Sequence, residues 1–317
     1  MTNRSTYLKN LMIIIKIILS IFLVYIIFIQ VDISAIAEKI AQMAPSWIIA
    51  VAFFFVIQVT CAAQRWRYVL AGMQQHLTTR SALRLIFLGQ FFNQCLPSNI
   101  GGDTLRMFYL RREGIGTGSA IRSVLLDRIA GLLILTLLCS ISLPFLIKHL
   151  ENQIAIMGLL AIIVVGWAAV GILLVLDNPL THRFRDHKFL GMFLSLSKDA
   201  RRLTRDRMVI ASLLTTSVLI HMCSVGMIWA IDKALGGDTS YLFFAFTVIP
   251  TLLVVSIPIS IAGWGLREQA MVIILGGLGI SATHAVSISI LFGAALILGS
   301  LPGAVFWLKT DRNTDRN

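Results

Sequence analysis

Residues 96–106 read LPSNIGGDTLR, and they decide the fold together with residues 258–267, which read PISIAGWGLR. Both stretches fit the pattern P-x-x-I-x-G-x-x-L-R, and each matched position is shifted by 161 residues, as Pro258 is from Pro97. Proline ends a helix because it lacks an N–H and its ring clashes with the preceding turn, and glycine allows a tight backbone at low steric cost. The two stretches therefore predict a helix break in each half of the chain, and their likeness predicts an internal repeat.

The composition around these breaks excludes a soluble protein. Hydrophobic residues make up 57% of the 317 residues, charged residues make up only 13%, and the mean hydropathy is +0.85. A soluble chain averages about 25% charged residues and could not bury this much apolar surface. A soluble enzyme, a disordered protein and a secreted disulfide scaffold are therefore excluded, and a polytopic helical membrane protein is favoured.

The net charge of +12 comes from 27 Lys and Arg residues against 15 Asp and Glu residues. The basic residues lie mostly in short loops between apolar runs, a distribution that the positive-inside rule explains better than a nucleic acid partner does. The basic segments are the N-terminus, 65–84, 106–122, 177–207 and the C-terminus. We therefore expect a multi-pass protein of the plasma (inner) membrane with both termini in the cytoplasm, and no nucleic acid partner.

Apolar runs of about 20 residues, the length that crosses a bilayer as a helix, predict six full spans. They lie at about 9–30, 46–64, 120–147, 153–176, 209–231 and 284–308. Two further apolar regions, 82–112 and 241–281, contain the breaks, and the loop charges require each of them to enter and leave on one side. The predicted fold is all-α, with six full spans plus two broken re-entrant hairpins. These are about eight membrane elements in a single membrane domain over residues 1–317, with no soluble domain.

Three full spans separate the two breaks, and an odd number of crossings inverts the second copy relative to the first. The approximate halves are 1–150 and 151–317. Inverted repeats with broken helices near the midplane are the usual construction of alternating-access transporters. Backbone N–H groups freed at the breaks cannot stay unpaired in lipid, and the N-terminus of a restarting helix favours an anion such as phosphate. The alternative interpretation is that the breaks only let helices pack closely.

Arg106 and Arg267 close the two motifs. An arginine in a membrane is costly unless it pairs, snorkels or meets water, and its planar guanidinium suits a phosphate. Each is therefore a candidate head-group ligand, or alternatively a residue that only sets the topology. Asp103 lies three residues before Arg106 and could neutralise it, whereas Glu268, directly after Arg267, should point elsewhere on a helix.

Further polar residues lie within the apolar regions. Asp127 and Arg128 follow about two turns into a predicted span, where Asp127 could pair with Arg106 or with Arg122. His221 lies in the middle of another span, and we interpret it as a hydrogen-bonded helix-packing residue rather than as a proton relay.

The chain lacks the motifs of common cofactor-driven chemistries. It has no GxxxxGK[ST] loop for ATP, no HExxH helix for zinc, no metal-binding Cys and His spacing and no GxSxG nucleophile elbow. The four cysteines all fall in apolar segments and are interpreted as small core residues. No cofactor and no metal are expected, and an enzyme is not favoured.

Gln90 and Asn93 lie one turn apart before the first break and could line a polar cavity.

The first break, the following SVLLDRIAGLL and the later IPISIAGWGLREQA together resemble the membrane family named for the lysylphosphatidylglycerol synthase transmembrane region, also described as AglD-like or flippase-like. The resemblance covers roughly residues 10–308. In the large members of this family the membrane part moves an aminoacylated lipid between leaflets, and a separate soluble domain makes that lipid. Ending at Asn317, this chain is expected to be a stand-alone member with the lipid-handling part and without the synthase domain.

The resemblance implies a head-group site formed by the residues that match the family's motifs. These residues are Asn99, Gly101, Gly102, Asp103, Arg106, Asp127, Arg128, Gly263, Gly265, Arg267 and Glu268, with helix breaks at Pro97 and Pro258. In this interpretation the arginines and the freed N–H groups hold a phosphate in a midplane cavity that both hairpins share. The acids pair with the arginines when the site is empty, or bind an amino group on the head group.

The leading hypothesis is a lipid flippase or lipid transporter that moves a phosphate-bearing lipid between leaflets, with a glycosyltransferase or lipid-modifying enzyme as a fitting partner. The first alternative is a membrane-embedded enzyme that modifies a lipid head group, or the membrane subunit of one, with Asp103, Asp127, His221 and Glu268 as acid–base groups. The second alternative is a secondary transporter of small anions. The cargo, the direction and energy source of transport and the oligomeric state are left open by the sequence.

Overall fold

The computed structural model describes residues 41, 43–95, 101–176, 188–257 and 265–310, and every regular element in those ranges is a helix. In chain order the helices are α1 (Pro45–Gly72), α2 (Thr79–Cys95), α3 (Gly101–Arg112), α4 (Thr117–His149), α5 (Gln153–Val175), α6 (Lys188–Arg205), α7 (Arg207–Ala234), α8 (Tyr241–Val255), α9 (Leu266–Gly276), α10 (Ala282–Ser300) and α11 (Pro302–Thr310). The prediction of an all-α polytopic membrane protein is confirmed.

Among the described residues, five helical segments are long and apolar enough to cross a membrane. They are Pro45–Gly72, Thr117–His149, Gln153–Val175, Arg207–Ala234 and Ala282–Leu308. These segments overlap five of the six predicted spans, and the sixth, at about 9–30, lies outside the described residues. Large apolar side chains such as Ile154 and Val165 stand exposed on α5, as expected of a helix that faces lipid.

Helices α2 and α3 form an antiparallel pair that returns to the side from which it starts. Ser81 and Arg84, near the start of α2, bond to Glu113 just after α3, with distances of 3.3 and 3.1 Å to its carboxylate oxygens. At the other end the Gly102 N–H donates to Asn93 Oδ1 over 2.9 Å. With 17 and 12 residues the two helices are only about 25 and 18 Å long, too short to span a bilayer singly. The connecting residues 96–100, which include Pro97 and Asn99, lie outside the described ranges.

Helices α8 and α9 form the second short pair. Phe243 and Phe246, at the start of α8, pack on Phe145 near the end of α4, with ring centroids 6.1 and 5.3 Å apart. Gly277, directly after α9, lies against Leu150, directly after α4. Both ends of this pair therefore meet the same end of α4, as a re-entrant hairpin requires. The predicted break residues Pro258 and Gly263 lie outside the described ranges.

Helices α1 and α7 run antiparallel and pack along each other more extensively than any other helix pair. Trp47 packs edge-on against Trp229 with ring centroids 5.5 Å apart. Gln58 Nε2 donates to Ser224 Oγ over 2.7 Å, further along α1 and earlier in α7. Since residue numbers rise along one helix as they fall along the other, the two copies of the repeat are inverted.

The repeat extends well beyond the two sequence motifs. The bounds of α1 and α2, shifted by 161 residues, fall within one residue of those of α7 and α8. The packing repeats as well, because α4 lies on α8 while α10 and α11 lie on α2. Helices α1–α4 therefore correspond to α7–α11, with α5 and α6 between the two sets.

Two segments that the sequence analysis assigned to cytoplasmic loops are helical. Helix α1 does not end near residue 64 but continues to Gly72, so Arg65 and Arg67 belong to it. Within 177–207, residues Lys188–Arg205 form the amphipathic helix α6, which buries Leu196 and Leu203 in a small core with α1, α4 and α7. In both places apolar residues continue at helical spacing past the basic residues, and packing against neighbouring helices then stabilises the extra turns.

Candidate functional site

Five charged side chains from three helices form one connected network, here called the arginine–aspartate cluster. Helix α1 contributes Arg65, α3 contributes Asp103 and Arg106, and α4 contributes Asp127 and Arg128. The two oxygens of Asp127 accept hydrogen bonds from Arg65 Nε over 2.8 Å and from Arg106 Nη2 over 2.9 Å. Asp103 accepts from Arg106 Nη1 over 3.3 Å and from Arg128 Nε over 2.6 Å.

The cluster is buried at its centre and opens at one rim. Asp127 is 2% exposed and Arg106 is 6% exposed, whereas the side chain of Arg128 is 41% exposed. Among the described side chains of the cluster there are three guanidinium groups and two carboxylates. An anion that reaches the rim would meet guanidinium donors, which form charge-assisted hydrogen bonds to oxyanions.

Neighbouring residues leave room for the guanidinium groups and hold them in place. The Trp66 ring lies under Arg106, with 4.1 Å between the guanidinium carbon and the ring centroid, and its own Nε1 donates to Ser123 Oγ over 3.3 Å. A Cβ at Gly131 would lie 2.7 Å from Arg65 Nη1, so a side chain there would force that guanidinium to shift. Arg106 Nε is buried and has no hydrogen-bond partner among the described residues, which leaves a donor of the cluster unused there.

The depth of the cluster follows from the helices that bear it. Asp127 lies ten residues after the start of α4, which corresponds to about 15 Å along the helix axis. Arg65 lies seven residues before the end of α1, or about 10 Å. The cluster therefore lies inside the end of the bundle where α1 ends and α4 begins, the end that the loop charges predict to be cytoplasmic.

The start of α3 lies directly above the cluster and is already partly capped. The Gly102 N–H donates to Asn93 Oδ1, and a Cβ at Gly102 would lie 2.6 Å from that oxygen. The sequence analysis expected freed N–H groups at this break to be available to an anion, but the Gly102 N–H has a protein partner instead. Asn93 therefore caps this helix, while Gln90 Oε1 is buried without a hydrogen-bond partner.

A second, smaller cluster forms around Arg267 in the other half. Arg267 is 2% exposed, and its Nε donates to Ser289 Oγ of α10 over 3.0 Å. Its Nη2 lies 3.2 Å from Glu268 Oε1, which also accepts from Ser289 Oγ over 2.7 Å. Among the described side chains of this cluster, one guanidinium faces one carboxylate.

The pairing of Arg267 with Glu268 corrects the sequence analysis, which expected adjacent helical residues to point apart. Glu268 lies in the first turn of α9, and its carboxylate folds back to accept from the N–H of Gly265, the residue that caps the helix. That fold brings Oε1 alongside Arg267. Gly265 has a φ of +79°, a left-handed conformation that favours glycine.

The two clusters occupy equivalent places in the repeat but differ in composition. The shift of 161 residues that relates Arg106 to Arg267 also relates Arg128 to Ser289. Arg128 donates to Asp103 in the first cluster, and Ser289 donates to Glu268 in the second. Asp127, however, corresponds to Ile288, and Arg65 corresponds to Gly226. The second copy thus retains its motif arginine and lacks a counterpart of the Arg65–Asp127 ion pair.

Other residues singled out from the sequence lie elsewhere. Arg122 does not pair with Asp127, because its Nε donates to Asp199 Oδ2 of α6 over 2.6 Å. His221 Nε2 lies 3.1 Å from the Gly131 carbonyl oxygen, a contact between α7 and α4 that fits the helix-packing interpretation. In the described part of the chain, no group of three His, Cys, Asp or Glu side chains is placed to hold a metal ion.

Sequence reasoning missed three residues of the clusters: Arg65, Trp66 and Ser289. Arg65 and Trp66 were assigned to a loop, although the apolar residues Tyr68, Val69 and Leu70 that follow them indicate a continuing helix. Ser289 carries no motif and could have been found only by extending the 161-residue shift from Arg128.

Comparisons with known proteins agree with this architecture. A family model described as lysylphosphatidylglycerol synthase TM region matches residues 13–303. A curated relative, the UPF0104 membrane protein MJ1595 of Methanocaldococcus jannaschii, is 20% identical over 330 residues. The match covers 95% of this chain and 96% of that protein, so the likeness extends over nearly the whole of both chains.

Proposed function

The chain belongs to the lysylphosphatidylglycerol synthase TM region family, and on that premise we propose that it is a lipid flippase that moves a phosphate-bearing lipid between the leaflets of the plasma membrane. In the proposed orientation both termini face the cytoplasm. The observation that carries the proposal is the buried arginine–aspartate cluster, set in an inverted repeat of broken helices.

The chemistry of the cluster suits a phosphate diester, which carries one negative charge. A guanidinium binds two phosphate oxygens in parallel, and such charge-assisted hydrogen bonds are about twice as strong as neutral ones. Arg128 lies at the exposed rim and would meet the head group first. The Arg106–Asp103 contact, at 3.3 Å, is the longest in the cluster, so a phosphate would displace Asp103 from Arg106 before it disturbed Asp127.

The inverted repeat supplies a route across the membrane. The cluster around Arg267 occupies the equivalent place in the second half, where Glu268 pairs with the arginine. We expect the head group to pass from one motif arginine to the other as the two halves rock, which exposes the site to each leaflet in turn. Asp103 and Glu268, once released from their arginines, would bind an amino group on a zwitterionic head.

The proposal is tested by leaflet exchange of fluorescent phospholipids in proteoliposomes, read with a membrane-impermeant quencher. Arg106→Gln and Arg267→Gln are compared with Arg122→Gln, a matched control that removes an ion-paired arginine of α4 outside both clusters. We expect each of the first two variants to lose at least about tenfold in exchange rate, since each removes charge-assisted hydrogen bonds, while the control keeps it. All variants are first checked for monodisperse, folded protein.

Two outcomes would contradict the proposal. If neither variant slows exchange, the arginines do not hold the head group. If no exchange occurs with any head group, including lipid extracted from the host, the protein does not move lipids. Mass spectrometry of the lipids after the assay separates transport from chemistry, because an enzyme changes the mass of its lipid and a flippase does not.

A further inference from the structure

A cleft of about 700 Å³ lies outside both clusters, at the end of the bundle where α1 ends and α7 begins. The end of α1 contributes Gly72 and the following residue Gln74 to its wall, and the end of α6 contributes Arg202 and Arg205. Asp206 and Arg207 complete the wall at the start of α7. The cleft is about 10 Å along α1 from Arg65, so it adjoins the arginine–aspartate cluster without sharing a residue with it.

The described residues that line the cleft carry an excess of two positive charges, three arginines against one aspartate. Arg202, Arg205 and Arg207 are all exposed, and in the part of the chain that the structure describes none of their side chains forms a hydrogen bond or an ion pair. The single acid, Asp206, is committed to the helix, because its Oδ1 accepts from the N–H groups of Met208 and Val209 over 2.9 and 3.2 Å. Three guanidinium groups thus surround one space and repel one another until an anion enters.

The turn at the edge of the cleft contains Gln74 in a backbone conformation that glycine would adopt at a lower energetic cost. Gln74 has a φ of 59°, and it is the sole non-glycine residue with a positive φ in the described ranges. The turn ends α1, with the Gln75 N–H donating to the Leu70 carbonyl over 2.8 Å. A strained residue that lines a cavity indicates that its side chain has a use there, and a carboxamide can donate to a phosphate oxygen.

The walls of the cleft are held by packing rather than by the charges themselves. Leu203 of α6 lies directly against Gly72 of α1 and is buried with Leu196 and Val69 in the small core under α6. Arg202 and Arg205 flank Leu203 along the helix, so their positions are set before any ligand arrives. Binding therefore has to order only the exposed guanidinium side chains and not the helices that bear them.

We propose that this cleft binds a phosphate group and that it is a second anion site, separate from the proposed transport site. The phosphate belongs either to the head group of an anionic lipid in the adjacent leaflet or to a soluble phosphate compound. Both ligands present the same oxygens to Arg202, Arg205 and Arg207, with the carboxamide of Gln74 as an additional donor.

The test is isothermal titration calorimetry on the full chain in a non-ionic detergent. The probes are a short-chain phosphatidic acid, inorganic pyrophosphate and, as a zwitterionic reference, a short-chain phosphatidylcholine. We expect saturable binding of phosphatidic acid that weakens with added salt, and a loss of affinity of about tenfold for each arginine removed in Arg202→Gln and Arg205→Gln. Gln74→Gly should weaken binding several-fold without lowering the unfolding temperature, because glycine suits the turn.

The matched control is a variant with Arg80→Gln and Arg111→Gln, two exposed arginines outside the cleft. It removes the same charge as the Arg202→Gln, Arg205→Gln double variant and should keep full affinity. Binding of phosphatidic acid alone identifies a lipid as the source of the phosphate, and equal binding of pyrophosphate identifies a soluble one. No saturable binding of either probe, or an equal loss in the control variant, overturns the proposal. Arg106→Gln should leave this binding intact, so failure here is distinguishable from failure of the transport proposal.

Discussion

Asp127 holds the arginine–aspartate cluster together, and replacing it with asparagine should destabilise the protein more than any comparable change at the surface. Asparagine has the shape of aspartate but no charge. In the native protein the guanidinium groups of Arg65 and Arg106 each lie against one carboxylate oxygen of Asp127, at 2.8 and 2.9 Å. In the Asp127→Asn variant both would face a neutral amide. The cluster would become more positive by one charge.

The size of the effect follows from burial. Asp127 is 2% exposed, and removing one partner of a buried ion pair costs about 3–5 kcal/mol because the remaining charge stays uncompensated. At about 2 °C per kcal/mol, the scale for a large domain, the midpoint of thermal unfolding should fall by about 6–10 °C.

The assay is thermal unfolding of the purified protein in detergent, followed by the fraction that remains monodisperse. Asp199→Asn is the matched control, since Asp199 also pairs with an arginine of α4, at 2.6 Å, but with side chains 23% and 16% exposed. A pair that solvent reaches contributes about 1 kcal/mol or less. Its loss should therefore lower the midpoint by about 2 °C.

The comparison of the two variants decides whether the reasoning holds. If Asp127→Asn lowers the midpoint no further than Asp199→Asn does, then water reaches the cluster and the charges are not buried as described. Water would then hydrate the arginines in the absence of a ligand, and the main support for a phosphate site there would be lost.

Two further predictions concern the fold. Gly102→Ala should lower the midpoint of thermal unfolding by about 2–6 °C, because its Cβ would lie 2.6 Å from Asn93 Oδ1 and overpacking costs about 1–3 kcal/mol. Gly171→Ala is the control and should not lower the midpoint, because the space around Gly171 is open. In a background without the four native cysteines, Gln58→Cys combined with Ser224→Cys should be joined by a short bifunctional thiol reagent, because the native side chains at these positions touch at 2.7 Å. Absence of the cross-link, judged by gel mobility against each single variant, would contradict the antiparallel packing of α1 and α7.

Much of the architecture could be predicted because it depends on local features. A span is visible as an apolar run of sufficient length, and a break is visible as proline and glycine within such a run. The parity of the spans between the two breaks then requires the second copy to be inverted, and the antiparallel contacts of α1 and α7 agree with it. The ends of helices were predicted less well, as Arg65 shows, because a basic residue within a helix and a basic residue in a loop look alike in the local sequence.

The sequence alone determined the membrane class, five of the predicted spans that the structure describes, and the four charged residues Asp103, Arg106, Asp127 and Arg128 that come together in one place. Which acid binds which arginine was decided only by the tertiary structure. Arg65 and Asp127 are 62 residues apart, and Arg122 reaches Asp199 across 77 residues rather than the nearby Asp127. Ion pairs depend on where separate helices lie in space, because the residues around an arginine in the sequence do not reveal which distant acid will lie about 3 Å from it. The same holds for the difference between the two halves, because α1 delivers Arg65 beside Asp127 of α4, whereas Gly226 of α7 and Ile288 of α10 occupy the equivalent places.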